Sequence, residues 1–199
     1  MQSIDNKILS RIYGRKRGAV VVPSDFLDLG NRTAVDLALH RLVNGGVLRR
    51  LSRGLYDYPK EHPELGLLLP SAETIARALA GRDQIRLQPA GAYAANLLGL
   101  TEQVPAKIVF LTDGPGRSVR IGPMTIQLRR TTPRNMATAG TTTGLVIQAF
   151  RNLGRAHVTP ERVAHLKRTL PKKERGELLK HFKTAPSWMH PIFRELAEG

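Results

Sequence analysis

The chain has 199 residues, with 31 Lys plus Arg against 16 Asp plus Glu, a formal charge of +15 and an isoelectric point near 11.0. That surplus suits a polyanionic partner, nucleic acid or an anionic membrane, better than catalysis on small acidic molecules. Cysteine is absent, which excludes disulfides, thiolate metal sites, cysteine nucleophiles and Fe–S clusters.

The remaining composition is that of a soluble globular protein, at 41% hydrophobic residues and a mean hydropathy of −0.24. No apolar run approaches the roughly 20 residues of a membrane span. The segment from Met1 to Pro23 has no uninterrupted apolar core before a small-residue cleavage site, so the sequence predicts no signal peptide and a cytoplasmic protein. Arginine outnumbers lysine 22 to 9, and its planar fork is the better group for phosphates and guanine edges.

In chain order, Ile4, Ile8, Leu9 and Ile12 recur at helical spacing and predict a helix over residues 2–13. A basic turn, Arg15-Lys16-Arg17 between glycines, leads into the β-branched run Ala19 to Val22, a short strand ended by Pro23. Ser24 to Leu29 reads as a short helical turn stopped by Gly30. A stronger helix runs from Asn31, its N-cap, to Asn44, with Gly45-Gly46 as the stop. The runs 47–51 and 55–58 around Ser52-Arg53-Gly54 predict a hairpin. This order is the connectivity of a winged helix-turn-helix, expected over residues 1–60, with 60–64 as a polar linker.

A larger domain is expected over residues 70–199. Ser71 caps a helix through Ala80 whose buried side is Ile75, Ala76 and Leu79. Ile85 to Leu87 reads as a strand and Pro89 to Leu98 as a small-residue helix. Ala106 to Thr112 is the clearest strand, and 117–121 with 124–128 form a hairpin joined by Gly122-Pro123. Residues 129–142 are poorly patterned. Helices follow at 144–153, from the start signal Thr159-Pro160-Glu161, near 171–183 and at 188–197. The fold class is therefore mixed α/β (α+β), a winged helix-turn-helix followed by a larger α+β domain.

At 100° per residue, Val35, Ala38, Leu39, Leu42 and Val43 form the inward stripe of the helix at 31–44. The opposite face carries Thr33, Leu37, His40 and Asn44, flanked by Asp36 and Arg41, with Arg32 in the first turn; Arg32, Thr33, Asp36, Leu37, His40 and Arg41 are the expected base-reading or phosphate-facing set for a helix in the major groove. Arg can bond guanine O6 and N7, and Leu37 can meet a thymine methyl. Asp36 either accepts from cytosine N4 or orients Arg32 or His40, each four residues away. Arg49, Arg50 and Arg53 sit on the wing, where backbone or minor groove is met, and Arg15, Lys16 and Arg17 form a third basic site. Tyr56 and Tyr58 read as packing of the wing.

The second domain carries no catalytic signature. Asp113 to Ser118 lacks the order of a phosphate loop, the six histidines have no metal-ligand spacing, and no serine lies in a nucleophile elbow. The sequence asks for no cofactor and no metal, and predicts a protein that is not an enzyme. A secondary basic surface is expected from Arg117, Arg120, Arg129, Arg130 and Arg134, and from Lys167, Arg168, Lys172 and Lys173. It is either a solvated helix face or extra contact to phosphates, RNA or an acidic protein.

The run from Ala38 to Pro59, with its progression L-x-R-L-x-x-x-G-x-L-x-R-L-x-R-G-x-Y, resembles the winged-helix domain of AbiEi-type antitoxins of bacterial type IV toxin–antitoxin systems, which are associated with abortive phage infection. The resemblance covers about residues 1–60 and weakens over 70–199. It implies a DNA-binding autorepressor of its own operon, acting on inverted repeats, with a C-terminal domain that counters a nucleotidyltransferase-like toxin without a tight complex. It carries base and wing contacts onto Arg32, Thr33, His40, Arg50 and Arg53. Double-stranded DNA is the expected partner, with no membrane, and the protein is expected to be a monomer or weak dimer that pairs on DNA. The alternative is a protein- or RNA-interaction module, such as a mobile-element regulator, that uses the winged helix as a scaffold.

Overall fold

The computed structural model describes residues 3–81 and 85–198. The chain forms two compact units, Met1–Gln84 with Val119–Gly122, and Ile85–Ser118 with Pro123–Gly199. Both mix helices and strands, so the fold is α+β. Gln2, at the start of the expected first helix, lies outside the described residues.

The first unit begins with α1, Ile4–Tyr13, capped by the Ser3 hydroxyl, which accepts from the Asn6 amide. A two-residue strand β1, Val20–Val21, precedes a 3-10 turn at Pro23–Phe26. Helix α2, Arg32–Asn44, starts where Asn31 accepts from the Ala34 amide at 2.9 Å. Strands β2, Arg49–Ser52, and β3, Leu55–Asp57, form the hairpin, and β1 joins it in the order β1-β3-β2. Gly54, at φ +69°, takes the left-handed turn between the two strands that a side chain resists. The order helix, strand, turn, helix, hairpin is that of a winged helix-turn-helix.

The stripe of α2 packs inward as its spacing requires. Val35, Ala38, Leu39 and Leu42 are buried with Ile8, Ile12, Val21, Phe26, Leu48 and Tyr56, while Val43 is partly buried at the edge of that core. Each fully buried Ile, Leu or Phe contributes roughly 1.5–3 kcal/mol over the exposed state, so the hydrophobic stripe fixes which face of α2 is left outside.

The segment expected as a linker is structured. Lys60–His62 (β4) pairs antiparallel with Gly66–Leu68 (β5) as a two-stranded hairpin, and Ser71 caps α3, Ala72–Ala80. All three belong to the first unit, which extends well past residue 60. The polar sequence misled because both strands are largely exposed and have no buried face to imprint an alternation.

In the second unit β6 is Leu87–Ala90 and α4 is Gly91–Leu97. The helix expected from Pro89 starts later because Pro89 lies in β6, an edge strand, where its missing amide proton breaks no ladder. Strands β7, Lys107–Thr112, and β9, Met124–Arg130, with β8, Arg117–Ile121, whose last three residues belong to the first unit, complete a sheet in the order β6-β7-β9-β8. β6 and β7 are antiparallel and β7 and β9 parallel. The unpatterned stretch contains one short helix, α5, Pro133–Met136. Helices α6, Thr142–Leu153, α7, Pro160–Thr169, α8, Lys172–Lys180, and α9, His190–Ala197, follow. Phe150, Val163, Leu166, Leu178 and Phe193 from these four helices share one core with Ala94 and Ala95 of α4.

Candidate nucleic-acid interface

Helix α2 presents Arg32, Thr33, Leu37, His40, Arg41 and Asn44 to solvent, with Asp36 half-buried among them. Leu37 is 48% exposed, an apolar group on the outer face of a helix whose other face fills a core. Arg32 Nε donates to both Asp36 oxygens at 3.0 and 2.9 Å, so Asp36 holds the first-turn guanidinium rather than standing alone. The Asn44 amide nitrogen lies 3.2 Å from His40 Nε2, a contact that links the two side chains one turn apart. Arg41 reaches the Asp5 carboxylate of α1 at 3.2 Å and so braces the two helices.

Several of the expected cations are taken up by the fold itself. Arg49 Nε and Nη2 bind the Asp57 carboxylate at 3.1 and 2.6 Å, and Nη2 also donates to the Leu68 carbonyl at 2.6 Å. Asp57 is fully buried, and its hydrogen bonds to Arg49 raise the pKa of that guanidinium. Arg15 donates to Asp25 at 2.9 Å, and Asp25 in turn accepts from the Val22 amide. Arg17 lies 4.7 Å above the Tyr58 ring and donates to the Pro59 carbonyl at 3.0 Å. Arg49 holds β2 to β3 and β5, Arg15 ties the basic turn to the 3-10 turn, and Arg17 ties the same basic turn to the end of the wing. Arg15 and Arg49 therefore leave the set free to meet phosphate.

Arg11, absent from the expected set, belongs with these structural cations. It binds both Asp28 oxygens at 2.8 and 2.7 Å and the Asp25 carbonyl at 2.9 Å, and Asp28 raises its pKa. What remains differs in kind. Lys16, Arg50 and Arg53 are exposed, and among the described residues none has an ion-pair partner. Arg50 lies on β2 and Arg53 in the turn of the wing, so among the described residues this hairpin carries positive charge that no acidic side chain neutralises. Tyr56 is buried and Tyr58 half-buried beside Tyr13, ring centroids 5.8 Å apart, which is packing of the wing.

The secondary basic residues are spread over several elements. Arg117 and Arg120 are exposed on β8, the latter donating to the Gly122 carbonyl at 3.3 Å. Arg129 and Arg130 end β9 and Arg134 lies in α5, all exposed. Lys167 and Arg168 sit in the last turn of α7, where cations suit the carbonyl end of a helix. Lys172 and Lys173 open α8. Sequence reasoning left out Arg151 of α6, whose Nη1 donates to Asn135 Oδ1 at 2.8 Å.

Among the described residues, no helix is long and apolar enough to cross a membrane. A family model described as a family of unknown function (DUF6088) matches residues 7–178. No curated protein matches the chain.

Proposed function

As the chain belongs to the DUF6088 family of unknown function, its role has to be argued from its own side chains, and we propose that it is a sequence-specific DNA-binding repressor. The observation that carries this reading is the division of the arginines in the first unit. Arg11, Arg15 and Arg49 are paired with acids inside the fold, while among the described residues Arg50 and Arg53 on the wing are exposed without a counter-charge. The outer face of α2 supplies the reading groups, Arg32 set by Asp36, with Thr33, Leu37 and His40 beyond it. In a major groove, Arg32 would take a guanine and Leu37 a thymine methyl, while Arg50, Arg53 and Lys16 meet phosphates.

The resemblance to AbiEi-type antitoxins extends the proposal to its biological role. The protein would repress its own operon in the cytoplasm and counter a nucleotidyltransferase-like toxin, acting by binding and not by catalysis. The test is fluorescence anisotropy on the duplex upstream of its gene and on a shuffled duplex, at two salt concentrations. A preference of about a thousandfold, roughly 4 kcal/mol, is expected. Equal affinities that collapse together with salt would reduce the +15 charge to generic phosphate attraction and overturn the reading.

A further inference from the structure

A cleft of about 730 Å³ opens beside the wing, and every residue that lines it belongs to the first unit. That volume lies within the roughly 300–1,000 Å³ of small-molecule sites. Its walls include Tyr13 at the end of α1, Arg17 of the basic turn, the stretch from Gly46 to Arg50, and Glu61 with Leu67, which are cross-strand partners in the β4–β5 hairpin. Two of these side chains are largely apolar and yet more than half exposed, Tyr13 at 57% and Leu67 at 58%. A surface built only for phosphates needs neither. Tyr13 leans on Tyr58, which also lines the cleft, with ring centroids 5.8 Å apart and planes at 46°, and the Arg17 guanidinium lies 4.7 Å over the Tyr58 ring. One N–H of Arg17 is spent on the Pro59 carbonyl at 3.0 Å, a neutral partner that fixes the guanidinium without cancelling its charge.

We propose that this cleft binds a small aromatic monoanion, such as an aromatic carboxylate, with its ring against Tyr13, Tyr58 and Leu67 and its charge met by Arg17 and Arg50. The charge of the lining sets the class. Arg49 is neutralised by the buried Asp57, while among the described residues Arg17 and Arg50 have no acidic partner. Against them stands the single lining carboxylate of Glu61, which leaves a surplus of one positive charge. That surplus matches a carboxylate better than a terminal phosphate, which carries about −1.5 to −2 at neutral pH. Planar rings pack well on tyrosine and on guanidinium planes, and a charge-assisted hydrogen bond to arginine anchors the anion. Arg50 is also a phosphate contact in the repressor reading, so a bound anion competes with DNA for it. That consequence rests on the repressor reading, and the site itself does not.

The probe is 8-anilinonaphthalene-1-sulfonate, an aromatic monoanion whose fluorescence rises as it leaves water, against N-phenyl-1-naphthylamine, the same rings without the charge. The sulfonate should bind the full chain one to one with a Kd of about 10–100 µM, roughly tenfold or more tighter than the amine. Arg17→Gln should weaken it about fivefold to tenfold. Leu67→Glu, which sets a carboxylate on the apolar wall, should weaken it about tenfold or more. Leu65→Glu, the same change at a leucine 73% exposed and outside the lining, should stay within about threefold of the parent. Far-UV circular dichroism and the fluorescence of Trp188, the lone tryptophan, which stacks on Phe150 of α6 in the second unit, verify that each variant is folded. The carboxylate 1-naphthoate should displace the sulfonate more readily than adenosine monophosphate does. Equal binding of the two probes, an unchanged Kd in Arg17→Gln, equal losses in Leu65→Glu and Leu67→Glu, or stronger displacement by the phosphate would overturn the proposal. On the upstream duplex, saturating sulfonate should weaken DNA binding severalfold in the parent and leave it unchanged in Leu67→Glu; an unaltered parent would remove the competition for Arg50. Absence of any duplex preference, with sulfonate binding intact, would refute the repressor reading and leave this site standing.

Discussion

Arg49 and Arg50 are neighbours on one strand, yet only Arg49 is bound by the fold, and on the proposed reading replacing each by alanine separates folding from binding. Arg49 pairs in register with Asp57, which also faces Val20 across the other side of β3. Its side chain is 25% exposed and the Asp57 side chain is fully buried. Arg49→Ala strands that carboxylate in the middle of the sheet and frees the Leu68 carbonyl, a loss of about 3–5 kcal/mol for breaking one side of a buried pair. A unit of this size loses about 4–8 °C of midpoint per kcal/mol, so even the lower figure moves melting by roughly 12 °C or more. Arg50→Ala removes an exposed side chain and should stay within about 0.5 kcal/mol of the parent. Urea unfolding followed by far-UV circular dichroism measures both, and anisotropy on the upstream duplex measures binding. The expected pattern is an unstable Arg49→Ala and a stable Arg50→Ala that binds DNA several-fold more weakly. The double change Arg49→Met with Asp57→Leu should recover most of the lost stability, because the harm lies in the uncompensated charge. Arg49→Ala within about 1 kcal/mol of the parent, with DNA affinity lost as in Arg50→Ala, would refute the division between structural and free arginines.

Asp36→Ala should leave stability within about 0.5 kcal/mol, since the exposed i,i+4 pair with Arg32 contributes little, while selection experiments on randomised duplexes should record relaxed base preference. Gly144→Ala improves helix propensity by about 1 kcal/mol, but a Cβ there would run into the Thr138 carbonyl and lie 2.5 Å from Gln88 Oε1. Overpacking against backbone should win, with a net loss of about 2 kcal/mol in the Trp188 transition; a rise in stability would contradict the close approach. Arg86 holds the Asp113 pKa below its usual value through a 2.8 Å hydrogen bond. Because the folded value is the lower one, that stabilisation is present above the unfolded aspartate pKa and lost as pH falls through the folded one. Acid titration of the Trp188 signal should accordingly show a shallower decline below about pH 4 in Asp113→Asn.

The elements legible in the sequence are those with a buried face and a cap. Helix α2 announced itself through Asn31, five inward residues and a glycine stop, and β7 through an unbroken apolar run. The hairpin of β4 and β5 was not legible because both of its strands are largely exposed, so burial wrote no pattern into Lys60–His62 or Gly66–Leu68. The end of β6 was misread for a different reason. Pro89 suits both a helix start and an edge strand, and what decides is Gly91, whose φ of +64° turns the chain out of the strand into α4. A local sequence pattern does not say which strand becomes an edge.

The interface was legible in part for the same physical reason. Periodicity identifies the outer face of α2, because turning the stripe inward leaves only one face outside. It does not say which arginines are already bound, since that depends on carboxylates brought close by the fold: Asp25 to Arg15 across ten residues, Asp57 to Arg49 across the hairpin, Asp28 to Arg11 across seventeen. Counting charge over the first sixty residues gives eleven cations to five acids, and all five acids sit in ion pairs with arginines of that same unit. The net charge is thus concentrated on the few side chains without a partner, chiefly at the wing tip and the basic turn, instead of being averaged over the unit. A diffuse +6 would attract any polyanion weakly; here it rests on six cations without an acidic partner among the described residues, Lys7, Lys16, Arg17, Arg50, Arg53 and Lys60, and on the proposed reading Lys16, Arg50 and Arg53 among them are where phosphates are met. Each phosphate neutralised there should add about 0.9 to the slope of log affinity against log salt, so removing Arg50 and Arg53 together should flatten that slope by nearly two, while removing Arg15 should change it little.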